Sequence, residues 1–593
     1  MQIEDFELSI DDLSDFDFES VINDLEDKSG YSHSFLFFSE QNLLTEGTVD
    51  WKICGLFGAI TQFSLNHEQT EEVFIPMFEM AGKRGILPQD FSENQLAIFA
   101  HFLPKLKNPC LRARVADVLW TLKHGQKPYL YAQIAIDAYF ALCEELLNSG
   151  EDQVYVIEYV KRGMAIVWNI NHAESQAFLK RVENWLDLTG LKKVVYHRLV
   201  KFLLKQNHLP AKKHLETIER HYTQSLSDED YWSTEQVCNL LILWYAVAKD
   251  EELKKKYLVK KAELFVLVAK YNLEANNAMA AVSYFKDAID LYRQIGGFES
   301  TIAQLRQEMM DSQARVSNEM KVFSSSLDIS EFVEATTAAI KGKDKRTAIL
   351  TLISFSPGPS KAVTKNQVEK EQFSLTGVID HEVLDSKGRT TAKRASSTDE
   401  DRRAQSLEAD MFSRANIYRE MYISARIWPA MRQLSLEHII LEKDLDFIIE
   451  GNPIIPRDRK ALFRKGILAG FRYDFVTATH ILALQLENSF RVLLNNNGVI
   501  TTGLSQEGIE EEFDLNRLLE MKELENIFGE DLIFHLKGLL TNRFGVNLRN
   551  RVAHGLLSSE EFLSTACLYL WWLVLKICTI PYLQRLQNEK EEV

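Results

Sequence analysis

A chain of 593 residues with an apolar share of 46% is long enough for about three or four domains and a substantial buried core, which excludes a disordered protein. Its formal net charge of −17 excludes a protein that coats nucleic acid non-specifically, because such binding relies on many Lys and Arg neutralising phosphates, so any RNA contact has to be local. Six cysteines (Cys54, Cys110, Cys143, Cys238, Cys567, Cys578) form no CxxC pair, and there is no phosphate-binding Gly-rich loop, dinucleotide fingerprint or HExxH. These features predict a reduced, cytoplasmic protein without a cofactor and disfavour nucleotide and zinc enzymes of those types.

Residues 1–48 form an acidic segment studded with Phe, beginning MQIEDFELSIDDLSDFDFES. It lacks the basic and apolar regions of a signal peptide. Two readings stand: a binding tail or phosphate mimic covering a basic site, or a solvated terminus whose Phe side chains dock locally, which is the usual behaviour of charge runs. Residues 49–325 are almost continuously helical in period. In LRARVADVLWTLKHG, Leu111, Val115, Val118 and Leu122 keep the spacing and Gly125 stops it. In AMAAVSYFKDAIDLYRQIGG, Val282, Phe285, Ile289 and Tyr292 predict a buried stripe, with the helix from Leu253 to Tyr271 as its partner. No fixed repeat length emerges, so the expectation is an irregular, solenoid-like helical array that offers a surface to a protein partner or trigger.

Residues 326–405 read as a helix followed by a linker, SPGPSKAVTKNQ, and a possible β-hairpin: Val378 to Leu384, a turn at Ser386, Lys387 and Gly388, then Arg389 to Ala392. Lys387, Arg389, Lys393 and Arg394 give the hairpin a basic tip, either for RNA or simply solvated. Helical text returns over 406–593. In FRYDFVTATHILALQLENSFRVLL, His480, Leu484, Glu487 and Arg491 fall along one face, and such a polar line needs partners. Glu487 and Arg491 either pair at i, i+4 or meet the motif described next. In the last helix, expected to start at a Ser558–Glu561 capping box, the apolar run Ala566 to Leu575 is broken by Lys576 and closed by Pro581. That is short of the roughly 20 residues a membrane crossing needs, so a buried helix and no membrane are expected. Of the adjacent Trp571 and Trp572, one is expected in the core and the other against a second subunit.

Residues 547–561 read NLRNRVAHGLLSSEE. Asn547 is the expected N-cap, with Arg549, Asn550 and Arg551 in the first turn, where open N–H groups, the helix dipole and two guanidinium groups would attract a phosphate. His554 follows at i+4 from Asn550 and supplies a group that exchanges protons near neutral pH; Gly555 closes the pattern. Arg549 and His554 lie about 140° apart on an ideal helix, so they converge only through the length of Arg549 or by contribution from two subunits.

RN, three residues, then HG, between a Leu-rich segment and a Ser-capped turn, resembles the HEPN superfamily. It looks closest to the branch called a domain of unknown function with an RNxxxHG motif, shared with an endoplasmic-reticulum-associated RNA degradation protein. The upstream text HILALQLENSFRVLLNNNGVITTG and IFGEDLIFHLKGLLTNRFGVNLRNRVAHG agrees, and the likeness covers roughly the last quarter of the chain. The resemblance implies a HEPN-like helical bundle that pairs as a homodimer around one cleavage site and cuts RNA without a metal. Arg549, Asn550 and His554 would be catalytic, supported by Glu487, Arg491, His480, Arg551 and Gly555. Toxin-like and antiviral nucleases are a feature of the superfamily, so the expectation is an all-α, conditional endoribonuclease regulated by its N-terminal array. The other reading is a non-catalytic scaffold in which Arg549 bonds Glu487, Asn550 bridges, and His554 closes a helix end.

Overall fold

Turns of one recurring kind join many of the helices. Lys212–Ser227, Tyr231–Val247 and Glu251–Glu274 are each followed by a residue with left-handed backbone: Glu229 (φ 56°), Lys249 (φ 59°) and Asn276 (φ 54°). The next residue donates its N–H back into the finished helix, Asp230 to Ser225, Asp250 to Tyr245 and Asn277 to Asn272. Its side chain then caps the following helix, on the N–H groups of Ser233, Leu253 and Ala280. Two residues thus stop one helix and start another, and successive helices fold back to pack on each other.

The computed structural model describes residues 3–13, 16–18, 22, 33–66, 72–80, 83–150, 152–170, 174–320, 326–371, 381–385, 388–394, 403–504 and 508–591. The fold is all-α, as its helical periodicity predicts; the strands among the described residues form four two-stranded antiparallel pairs. The chain divides into two compact units, Met1–Ser312 and Gln313–Val593, with the division inside the helix Glu299–Glu319.

In the first unit, the described part of the acidic segment joins the core. Phe6, Leu8, Phe18 and Ile22 are buried, Phe6 edge-on to Trp51 and Phe18 stacked on Phe102. The Glu7 carboxylate accepts from Ser92 and Asn94. Leu111, Val115 and Val118 are buried in Pro109–Thr121, and Gly125 has φ +73°. In Ala278–Ile295 the stripe is Phe285, Ile289 and Tyr292, but Val282 is half-buried, because the small Ala281 and Ala288 make the closest approach to Glu251–Glu274.

The second unit is organised on the helix Thr565–Glu591, and four expectations change there. Trp571 and Trp572 are both fully buried; one ring N–H donates to the Ile467 carbonyl and the other to Leu352, so neither is left for a second subunit. Pro581 does not end the helix. Burial of Ile577 and Cys578 on either side of the missing hydrogen bond outweighs its loss, and Asn452 donates to the Cys578 carbonyl there. The capping box sits on the short turn Glu561–Leu563, one step before the long helix. Finally, the stretch expected as linker holds a helix, Lys361–Glu371, whose first turn is held by Ser360 and Asp531 and whose Val368 packs on Phe412 and Phe534.

Thr565–Glu589 is also the one helix among the described residues long and apolar enough to cross a membrane, but 72% of its apolar window is buried within the model. Lys576 turns inward to donate to the carbonyls of Ile353 and Phe355. The hairpin pairs His381–Leu384 with Thr390–Arg394 around Gly388 (φ +70°). Residues 378–380, 386 and 387 of the expected hairpin lie outside the described residues. Its described cations are paired, Arg389 with Asp385, Lys393 with Glu382 and Arg394 with Asp410.

Candidate active site

The helix Phe475–Asn496 supplies one wall, starting at Asp474, which caps the Thr477 N–H after left-handed Tyr473. Its polar line finds partners one by one. His480 stacks on Phe562 at 4.8 Å and its Nδ1 bonds the Val476 carbonyl at 2.8 Å. Glu487 joins two arginines: Oε1 accepts from Arg491 (3.1 Å), and Oε2 from Arg549 Nε (3.0 Å) and Nη2 (2.9 Å). Arg491 also reaches Glu512 at 2.9 Å and donates to the Phe513 carbonyl at 2.8 Å. Both ways of using Glu487 that its helical position allows are therefore present together.

The motif occupies a helix of six residues, Leu548–Ala553, packed on Phe475–Asn496 through buried Leu548 and Val552. Asn547 does not cap it through its side chain. It has left-handed backbone (φ 53°, ψ 36°), and its Oδ1 accepts instead from Asn550 Nδ2 at 2.7 Å. The cause lies just upstream: Val546 N–H bonds the Gly538 carbonyl, and a Cβ on Gly545 would lie 1.9 Å from that oxygen. This contact fixes how the chain enters the helix. The anion site expected at the helix N-terminus is therefore replaced by an Asn–Asn bond.

Arg549 completes the network by donating Nη1 to Asn550 Oδ1 at 3.0 Å. With 22% of the Arg549 side chain exposed and 13% of Glu487, both are mostly shielded from water. Three of the five guanidinium N–H groups are engaged, which leaves two for another acceptor. Arg551 pairs with Glu561. Burial raises the Glu561 carboxyl, but the Ser558 N–H and Arg551 outweigh it and hold it below its ordinary value. His554 is the exception. It ends the helix through its backbone, while its exposed imidazole makes no hydrogen bond or ion pair among the described residues. Gly555 (φ +64°) and Leu556 close the helix on the carbonyls of Val552 and Arg551, a left-handed turn that Gly adopts freely.

The structure thus joins Arg549, Asn550 and Glu487 directly and Arg491 through Glu487. It leaves Arg551 on its own partner, His480 on Phe562, and His554 facing solvent. Sequence reasoning missed Asn547 as a partner of Asn550, Glu512 as a partner of Arg491, and Glu561 as a partner of Arg551. Glu561 had a usable signal in its box with Ser558; the other two depend on loop geometry that local spacing does not encode.

Residues 3–177 match the model of a Domain of unknown function (DUF7380), within the first unit and apart from the residues above. No curated protein and no solved structure matches the chain.

Proposed function

We propose that the chain is a conditional, metal-independent endoribonuclease of HEPN type, with Arg549, Asn550 and His554 as its reacting groups. One observation carries this reading: Arg549 and Asn550 are held in fixed positions while His554, the residue that would move protons, is exposed and uncommitted. In the reaction the RNA's own 2′-OH attacks the adjacent phosphorus, His554 transfers protons, and the two remaining Arg549 N–H groups stabilise charge on the transition state. The 5′-oxygen leaves, giving a 2′,3′-cyclic phosphate and a 5′-OH. Glu487 positions Arg549. Exposed Leu484, Leu556 and Leu563, on the elements that carry or follow the motif, suit pairing with a second copy. The first unit serves as sensor or regulator, in keeping with a toxin-like or antiviral role.

A scaffold reading is favoured by the bonds of Arg549 to Glu487 and Asn550, which match a structural role. It leaves the exposed His554 without a task. Purified protein incubated with EDTA on labelled single-stranded and structured RNA, beside a matched DNA, separates the two: RNA cut to cyclic-phosphate ends with DNA intact supports the nuclease, and RNA left whole with every trigger tried supports the scaffold.

A further inference from the structure

A second feature of the Gln313–Val593 unit lies at the start of the helix that holds Glu487. A groove of about 610 Å³ opens there between the helix Lys460–Phe471 and the turn that leads into Phe475–Asn496. This is within the size range of small-ligand pockets. Leu468 and Ala469 contribute apolar surface, and Arg464, Lys465 and Arg472 contribute positive charge.

Which of these charges are free decides what the groove can hold. Arg464 is neutralised by Asp446 and Glu450. Asp474 is held ionised, its carboxyl below the ordinary range through bonds from the Thr477 side chain and N–H, and it is committed to capping its own helix. Lys465 and Arg472 are exposed and make no hydrogen bond or ion pair among the described residues. Two cations therefore face one uncommitted carboxylate, Glu442, in a chain whose overall charge is strongly negative. The Thr477 hydroxyl and Glu442 add polar groups suited to sugar hydroxyls or base amino groups.

We infer that this groove binds a nucleotide unit, its phosphate on Lys465 and Arg472. Thr477, which lines the groove, is ten residues before Glu487, about 15 Å along the helix. Val476 and Leu484, both exposed, and His480 continue the surface between them. If the nuclease reading holds, the groove receives a neighbouring nucleotide of the RNA strand whose scissile phosphate lies at Arg549; the second possible source of the same chemistry is a free nucleotide.

The test reads binding rather than cleavage, in the full chain carrying His554→Ala, by fluorescence anisotropy of a labelled uridine 12-mer across a salt series. Adding Lys465→Ala and Arg472→Ala is expected to weaken binding about tenfold and to flatten the salt dependence by about 0.7 per lost phosphate contact, about 1.4 in all. An unchanged melting temperature confirms that these exposed positions leave the fold intact. Displacement of the strand by adenosine 5′-monophosphate assigns the groove to a free nucleotide, whereas resistance to it with the double-variant loss assigns it to the strand. Equal affinity and equal salt slope for the double variant and its parent would overturn the proposal. A wild-type chain that binds through the groove yet never cuts RNA would sink the nuclease reading alone.

Discussion

Two ion clusters, one in each unit, use the same residue types to different ends. In the first unit Asp117 has no exposed side-chain surface and accepts from Tyr139 (2.7 Å), from Arg162 Nε (2.8 Å) and Nη2 (2.6 Å), and from Thr121 (3.3 Å). Every group there points inward and the cluster is closed. In the second unit Glu487 and Arg549 bond as well, but the network runs outward to Asn550 and, four residues on, to an exposed His554. A buried ion pair alone does not mark a functional site. What distinguishes the second cluster is a fixed cation next to a titratable group that nothing else uses.

The largest expected effect breaks the closed cluster. Asp117→Ala leaves Arg162 buried without a counter-charge and should destabilise the first unit by about 3–5 kcal/mol, read as an early urea transition. A loss under about 1 kcal/mol would mean that water already reaches the cluster. Next comes a contrast of histidines within the second unit. Burial, with Arg419 nearby, pushes His535 down to about 4, whereas His554 is exposed. Below pH ~6.5 the unfolded chain takes up a proton that folded His535 refuses, so its stabilising effect is complete above that pH. It falls by up to about 3 kcal/mol as pH drops toward 4. His535→Gln should flatten this slope, and identical slopes in the two proteins would contradict the account. The smallest effect sharpens the open cluster: Glu487→Gln weakens the hold on Arg549 and should cost about 1–2 kcal/mol in stability. It should also lower kcat more than it raises KM, since a misplaced guanidinium fails mainly in the transition state. A change in KM alone would show that Glu487 serves binding.

Helical period made much of this legible in advance. The stripes at Leu111, Val115 and Val118 and at Phe285, Ile289 and Tyr292 are local patterns, and local patterns survive folding. So did the line from His480 to Arg491, because residues on one helix face must find partners wherever that face is covered. What stayed hidden depended on distant contacts. Asn547 looks like an N-cap, yet the approach of Gly545 to Gly538 turns it left-handed. Pro581 looks like a stop, yet burial of its neighbours carries the helix past it. The array shows no fixed repeat length because its recurring unit is a two-residue turn, as at Glu229–Asp230 and Lys249–Asp250, with helices of differing length between.

The most direct test of the central claim pairs His554→Ala with wild type in two measurements on the same preparations, RNA cleavage in EDTA and thermal unfolding. An exposed general acid–base predicts a loss of about 10²–10⁴-fold in cleavage with the melting temperature unchanged. A variant that still cuts RNA at the wild-type rate, or one that loses its fold along with its activity, would contradict the assignment of His554 as the residue that moves the proton.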